Sequence, residues 1–343
     1  MSKVIGIDLG TTFSAIASLD DLGNPEVLAS IEDNRKITAS AVYLKDNEVI
    51  VGDKALNYLK DQSNNVILQT KREMENDVVY STDEGKWVTD KDLVDAYTPA
   101  QVSSLILKKL KEYTSDVKKV VITVPAMFAE KARQATLDAA KIADLEVIEL
   151  INEPTAAVLH YASLPGVEVG GRVMIFDLGG GTFDVTFAEV KNKKVDVMTS
   201  RGDKYLGGRD FDKEITKLMK KKYFDAHNVE IDIENNKEYI HKAEEVKKIL
   251  SVKDKANIEI TGPKGPQKIE ITQEEFEESI QTYIEKIKML IEEAMEASGM
   301  NPSRINQTLL VGGSTRMPII TKVLTQMMGK PPVKGVNVDE AVV

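Results

Sequence analysis

The chain has 343 residues, a formal net charge of −10, 42% hydrophobic residues, three histidines and no cysteine. That length exceeds what one hydrophobic core usually serves, ~250–300 residues, so more than one domain is predicted. Without cysteine, a disulfide scaffold, a thiolate zinc site and cysteine catalysis are excluded, and three histidines leave little for an imidazole metal site. The acidic balance argues against nucleic acid or an anionic membrane as a general partner. Met1-Ser2-Lys3 runs straight into an apolar strand with no signal peptide, and no apolar run is long enough to span a bilayer, so a cytoplasmic location is expected.

In chain order, Val4-Ile5-Gly6-Ile7-Asp8 reads as a strand, Leu9-Gly10-Thr11-Thr12 as a turn, and Phe13-Ser14-Ala15-Ile16 as a returning strand. Residues 26–30 continue the meander, and 41–44 with 48–51 form a hairpin around Lys45-Asp46-Asn47. Residues 53–97 are polar and weakly periodic, as in an insertion, and Lys71-Arg72 within them reads on its own as a solvated surface pair. Thr98-Pro99 has the chemistry of a helix start, cap then proline. Residues 119–124 read as a buried strand ended by Pro125, followed by a helix at about 129–143 and a strand at 146–151. Asn152-Glu153-Pro154 stops that strand, and a helix begins at Thr155. Strand–helix alternation after hairpins predicts a mixed sheet with helices on its faces. Glu153 falls at a strand end, where such sheets bind ligands, although an acid at a helix N-terminus is explained by the helix dipole alone.

Residues 164–171 are glycine-rich and read as a crossing. The next stretch repeats the opening plan: Ile175-Phe176-Asp177-Leu178, then Gly179-Gly180-Gly181-Thr182, then Phe183-Asp184-Val185. A turn without side chains lets backbone N–H groups close on an anion, while Asp177 and Asp184 beside it would repel a bare phosphate unless a cation intervened. The pattern fits a nucleotide–metal site, or a tight hairpin with its acids turned to water. Two copies of one plan predict two lobes, each presenting an aspartate and a phosphate turn to a shared cleft.

A third strand follows at 195–198, ended by Gly207-Gly208-Arg209-Asp210, and the next helix buries Phe211, Ile215 and Leu218. In the helix from Lys237 to Ser251, Tyr239, Ala243, Val246 and Leu250 share one face, with Glu244, Lys247, Lys248 and Ser251 opposite, ordinarily a solvated face. Strands at 258–260 and 269–271 flank a Gly/Pro loop. Thr272 and Glu275 form a capping box for one long helix running to Gly299. The strand 308–311 leads into Gly312-Gly313-Ser314-Thr315-Arg316, either a plain strand-to-helix turn or a backbone open to a flat base with Arg316 over its face. Residues 337–340 read as the start of one more helix.

Both hairpins, with Glu149-Leu150-Ile151-Asn152-Glu153-Pro154-Thr155-Ala156-Ala157 and Leu310 through Arg316, resemble the actin-like ATPase superfamily, and within it the nucleotide-binding domain of the seventy-kilodalton heat-shock (DnaK-type) chaperones. The resemblance covers essentially the whole chain. It implies an α/β, two-lobed actin-like fold, each lobe a mixed sheet with flanking helices and an inserted subdomain: 1–170 with an insertion at about 39–97, and 171–343 with an insertion at about 206–280. It implies ATP hydrolysis that drives lobe closure and controls an attached peptide-binding domain, which is expected to be absent from this chain; a stand-alone actin-like ATPase or a sugar or acetate kinase is the alternative. By resemblance, Lys71, Glu153, Asp177, Thr182 and Asp8 are catalytic, and Gly10, Thr11, Thr12, Phe13 and Gly179, Gly180, Gly181, Thr182 bind phosphate. Glu244, Lys247, Lys248, Ser251, Gly312, Gly313, Ser314, Arg316 and Asp339 would hold adenosine. Mg²⁺ would sit among Asp8, Glu153 and Asp177, mainly through water, and K⁺ near Asp8, Asp177, Thr182 and Asp184. Pro125 and Arg133 match positions of the family's interdomain relay. The implied ligands are ATP and ADP. The implied partners are a J-domain co-chaperone, a nucleotide-exchange factor and, through the absent domain only, client peptides; a monomer is expected. Lys248 departs from the family's adenine-stacking arginine, Phe13 from its tyrosine, and Ala39 and Val338 from its prolines.

Overall fold

Period-two alternation puts Ile5 and Ile7 on one face of the strand Val4–Asp8, and both are buried. In the computed structural model, which describes residues 4–46, 48–61, 63–90, 92–93, 96–115, 117–163, 170–191, 194–234, 236–333 and 342, this strand is central to the first sheet. The sheet order is Glu146–Asn152, Lys119–Val124, Val4–Asp8, Phe13–Leu19, Pro25–Val27, with Thr38–Ala39 also pairing to Phe13–Leu19. Its first three strands are parallel and the hairpin pairs antiparallel.

The second sheet repeats the arrangement: Lys194–Asp203, Phe183–Lys191, Gly171–Leu178, Gln307–Val311. In each sheet the first strand of a hairpin has a parallel strand on its outer side, and the returning strand has an antiparallel one. The internal repeat legible in the two Asp-Leu-Gly turns is therefore a repeat of topology.

Each sheet builds its own core. Ile5, Ile16, Val120 and Ile122 pack with Val102, Ile106 and Leu110 of the helix Pro99–Lys111 and with Ala139 and Ala140 of Glu130–Ile142. Phe176, Phe183 and Phe187 pack with Phe211, Ile215 and Met219 of the helix Gly208–His227. On the other face of the second sheet, Val173, Ile175 and Leu309 meet Ala157, Val158 and Tyr161 of the helix Glu153–Ser163. That helix starts at the end of a first-sheet strand yet buries its apolar face on the second sheet, so Glu153 lies between the two. Two small three-stranded sheets, around Ala41–Lys45 and Val79–Ser81, decorate the first sheet; the helix Lys237–Leu250 and the hairpin Lys255–Gly262/Gly265–Thr272 decorate the second.

The capping boxes at Thr98 and Thr272 are both formed, and Gly299 closes its helix at φ 65°. Several local expectations need correction. The helix after Asn152 begins at Glu153, so the acid is itself in the first turn. The third strand ends at Asp203, before Gly207, and Met219 takes the core position assigned to Leu218, which is only half-buried. The long helix is two, Gln273–Ser279 and Gln281–Ser298, because the backbone leaves helical geometry at the fully buried Ile280 (φ −100°, ψ 7°). Of the expected crossing at 164–171, residues 164–169 lie outside the described residues and Gly171 already opens a strand; the helix expected at 337–340 also lies outside them. Among those described, no helix is long and apolar enough to cross a membrane.

Candidate functional site

The glycine turn of the second hairpin is oriented by what takes its carbonyls. Gly208 N–H donates to Gly179 O (3.0 Å), Arg209 N–H to Gly180 O (2.9 Å), and Arg72 Nε to Gly181 O (2.7 Å), while Ser314 Oγ adds a second bond to Gly179 O (3.0 Å). No described peptide bond is cis. In a trans peptide the N–H points opposite to its own carbonyl. The N–H groups of Gly180, Gly181 and Thr182 are therefore turned away from these donors, forming the concave nest that suits an anion.

The first hairpin turn faces this nest. A Cβ on Gly180 would lie 1.8 Å from Thr12 Oγ1, and one on Gly181 would lie 2.3 Å from Thr11 Cγ2, so only glycine lets the two turns approach this closely. Ser40 braces the first turn from below, its hydroxyl donating to Gly10 O (2.8 Å) and its N–H to Thr12 O (2.8 Å). Gly312, at φ 83°, is equally constrained: a Cβ there would meet Leu178 O at 2.5 Å. The close approach of backbone, and not merely a strand-to-helix turn, requires that glycine.

Asp8, Gly10, Thr11, Thr12, Phe13, Lys71, Glu153, Asp177, Gly179, Gly180, Thr182, Gly312 and Gly313 line one cavity between the hairpins. Lys71 is buried, with its ammonium 2.6 Å from Glu153 Oε1. Burial opposes that charge, but Glu153, Asp8 and Asp177 outweigh it and hold the lysine proton above its ordinary value. The acids show the opposite strain. Burial, then Glu153 and Asp184, push the Asp177 carboxyl well above the carboxylate range; burial and then Glu153 push Asp184 up to about 8, in both cases against Lys71. Four acids and one lysine leave an excess of negative charge that a cation would relieve. Among the described residues no three acid or histidine side chains are close enough to ligate a metal together.

An adjoining cavity of ≈ 270 Å³ is lined by Glu244, Lys247, Lys248, Ser251, Gly313, Ser314 and Arg316, and shares Thr12, Phe13, Gly180 and Gly313 with the first. The structure thus brings the expected adenosine and phosphate residues into one continuous cleft; Asp339 lies outside the described residues. Gly181 and Asp184 are not among the lining residues; Gly181 packs against Thr11, and Asp184 stands opposite Asp177 in the hairpin. Lys248 pairs with Glu244 (2.7 Å), its ammonium 5.3 Å from the centre of the Phe13 ring.

Two readings of charge are corrected here. Lys71-Arg72 is not a solvated pair: Arg72 is buried and bonds Asp210 at 2.6 Å. Nor is the polar face of Lys237–Leu250 solvated throughout, since Lys247 is buried, donating to Gly208 O and pairing with Asp212, both at 2.8 Å. Sequence reasoning missed Arg72, Arg209, Asp210 and Asp212. The available signal was Gly207-Gly208-Arg209-Asp210-Phe211-Asp212 directly before a 20-residue helix, a glycine start with an acid at the third position that bonds back to Gly207 N–H (2.9 Å).

A two-lobed cleft with paired glycine turns, a buried lysine and an acid cluster defines an actin-like nucleotide-binding fold. The family model described as Hsp70 protein matches residues 4–343. A protein described as chaperone protein dnaK, from Thalassiosira pseudonana, is 36% identical over 370 residues, an alignment covering 100% of this chain and 61% of that protein. The chain belongs to the Hsp70 family, whose members use adenine nucleotides. It spans about three-fifths of the length of the curated relative it matches.

Proposed function

We propose that this chain is the ATP-binding and ATP-hydrolysing part of a DnaK-type chaperone, in which nucleotide-driven closure of two lobes controls a peptide-binding domain. The observation that carries this reading is the meeting of the two glycine turns beside Lys71 and the buried acids. Lobe I would comprise 1–170 with an insertion at about 39–97, and lobe II 171–343 with an insertion at about 206–280. The amides of Gly180 to Thr182 and the hydroxyls of Thr11, Thr12 and Thr182 would bind phosphate oxygens. Lys71 would neutralise charge near the γ-phosphate and position the attacking water, the two tasks phosphoryl transfer chiefly asks of a protein. Asp8, Glu153 and Asp177 would hold hydrated Mg²⁺, and Asp8, Asp177, Thr182 and Asp184 would hold K⁺; these cations would supply charge neutralisation at the phosphates. The Arg133 guanidinium donates to Asn152 Oδ1 (2.7 Å), one residue before Glu153, which supports a mechanical route from the site toward the helix Glu130–Ile142. A J-domain co-chaperone, an exchange factor and client peptides are the partners this reading expects. A family match across residues 4–343 favours it over a sugar or acetate kinase.

Titration calorimetry with ATP tests the site. Tight binding in Mg²⁺ that weakens strongly in EDTA is the expected result; undiminished affinity in EDTA would remove the cation from the account.

A further inference from the structure

The short turn Thr70–Glu73 carries two buried cations side by side, and only Lys71 has a role so far. We propose that Arg72 is a positioning residue: it locks the turn bearing Lys71 onto the glycine turn of the second hairpin, so that placement of the lysine depends on closure of the cleft. This rests on the ATPase reading above.

Three observations carry it. The Arg72 fork makes two bonds to distant parts of the chain, Nε to Gly181 O at 2.7 Å and Nη2 to Asp210 Oδ2 at 2.6 Å. Both acceptors belong to the phosphate-binding apparatus. Gly181 is in the nest itself, and Asp210 also accepts from Gly207 N–H (2.9 Å), holding the helix start whose amides take the Gly179 and Gly180 carbonyls. One planar guanidinium thus grips the nest and its backing together, which a lysine ammonium cannot reproduce in geometry. The turn it grips from is itself constrained, because Gln69, just before it, sits in the left-handed region at φ 61°. Thr70–Glu73 is too short to let Arg72 move without Lys71. Opening the cleft far enough to part Arg72 from Gly181 therefore also carries the lysine away from the glycine turn and the phosphate site, and a displacement of about 1 Å at such a site costs up to ~100-fold in rate.

The test uses the whole chain and five proteins: parent, Arg72→Gln, Arg72→Lys, Asp210→Asn and the Arg72→Gln/Asp210→Asn double variant. Single-turnover ATP hydrolysis should fall about ten- to a hundredfold in each variant, and release of a fluorescent ADP analogue should quicken about tenfold or more, as truncation of a buried charge pair does to dissociation. The double variant should be no worse than the poorer single one, because both substitutions break the same link. Arg72→Lys, which keeps the charge beside Asp210, should recover part of the slow release but not the hydrolysis rate; it also serves if Arg72→Gln does not fold. Without nucleotide, amide hydrogen exchange across residues 177–184 should rise in Arg72→Gln. Parent-like exchange and rates in Arg72→Gln, or effects that multiply in the double variant, would overturn the proposal. If the parent itself fails to hydrolyse ATP, the ATPase reading falls instead, and the exchange measurement still decides the link.

Discussion

Asp177 and Asp184 stand directly opposite each other in the antiparallel register of the second hairpin, two residues either side of the glycine turn. Like charges so placed destabilise a strand pair. The strain is visible in Asp177, whose carboxyl is pushed well above the carboxylate range by burial first, then by Glu153 and Asp184, while burial and then Glu153 push the buried Asp184 up to about 8. A small cation should therefore stabilise the fold as well as the nucleotide. Thermal unfolding in KCl is predicted to exceed that in tetramethylammonium chloride at equal ionic strength, with the gap closing in Asp184→Asn. Equal midpoints in the parent would contradict this.

Lys248 lies along the proposed adenosine cavity, paired with Glu244 and near the Phe13 ring. An ammonium presents a point charge to a flat base, whereas a guanidinium can stack on it. Lys248→Arg should tighten ADP binding by ~0.5–1 kcal/mol, about two- to fivefold. Calorimetry with ADP checks the direction, and weaker binding by the arginine variant would argue that the side chain does not reach the base.

Lys237, in the proposed insertion of the second lobe, donates to Tyr80 Oη (2.6 Å) and Val66 O (2.9 Å) in that proposed for the first. Burial, then Arg209, push its ammonium down to about 8. In the unfolded chain a lysine keeps its proton to ~10.4, so between these values the unfolded state binds more protons and stability rises with pH. Burial raises the Tyr80 hydroxyl, which stays protonated through this window. The stability of the parent minus that of Lys237→Met is thus predicted to increase from pH 7.5 to 10, on the order of 1–3 kcal/mol. Urea unfolding at both values measures it; a flat or falling difference would reject the shift.

Gly207 packs against the nest, and a Cβ there would lie 2.7 Å from Gly181 N and 2.9 Å from Gly180 C. Those neighbours are backbone and cannot swing aside. Gly207→Ala should displace the turn, with overpacking costing ~1–3 kcal/mol and ATP affinity falling with it. Parent-like affinity with unchanged stability would mean the turn is more pliable than its bonding indicates.

Much of this architecture was legible because its signals are local. Period-two alternation marks both hairpins, and Thr98, Thr272 and Gly299 announce helix ends within one turn. The proposed phosphate and adenosine residues rest on family resemblance more than on chemistry: Glu153 alone is an ordinary first-turn acid, and Lys71-Arg72 alone is an ordinary surface pair. What makes them a site is contact across the chain, 82 residues between Lys71 and Glu153 and 138 between Arg72 and Asp210. No local pattern records such partners. The burial of Lys247 was invisible for the same reason, since Gly208 lies 39 residues away and closes over a face that helical periodicity alone assigns to water. The break at Ile280 reflects core packing that a continuous helical pattern conceals.

Lys71 offers the most direct test of the central claim, that this cleft hydrolyses ATP. Its ammonium is buried beside Glu153 and held charged by the surrounding acids, so removing the charge should matter most as charge redistributes during transfer. Loss of one preorganised electrostatic contact typically costs ~2.7–4 kcal/mol, about a hundred- to a thousandfold in rate. In single-turnover hydrolysis with Mg·ATP, the parent is predicted to cleave the γ-phosphate, while Lys71→Met, which keeps the stem, loses about that factor and retains most of its ATP affinity. Hydrolysis by Lys71→Met at the parent rate would contradict the account.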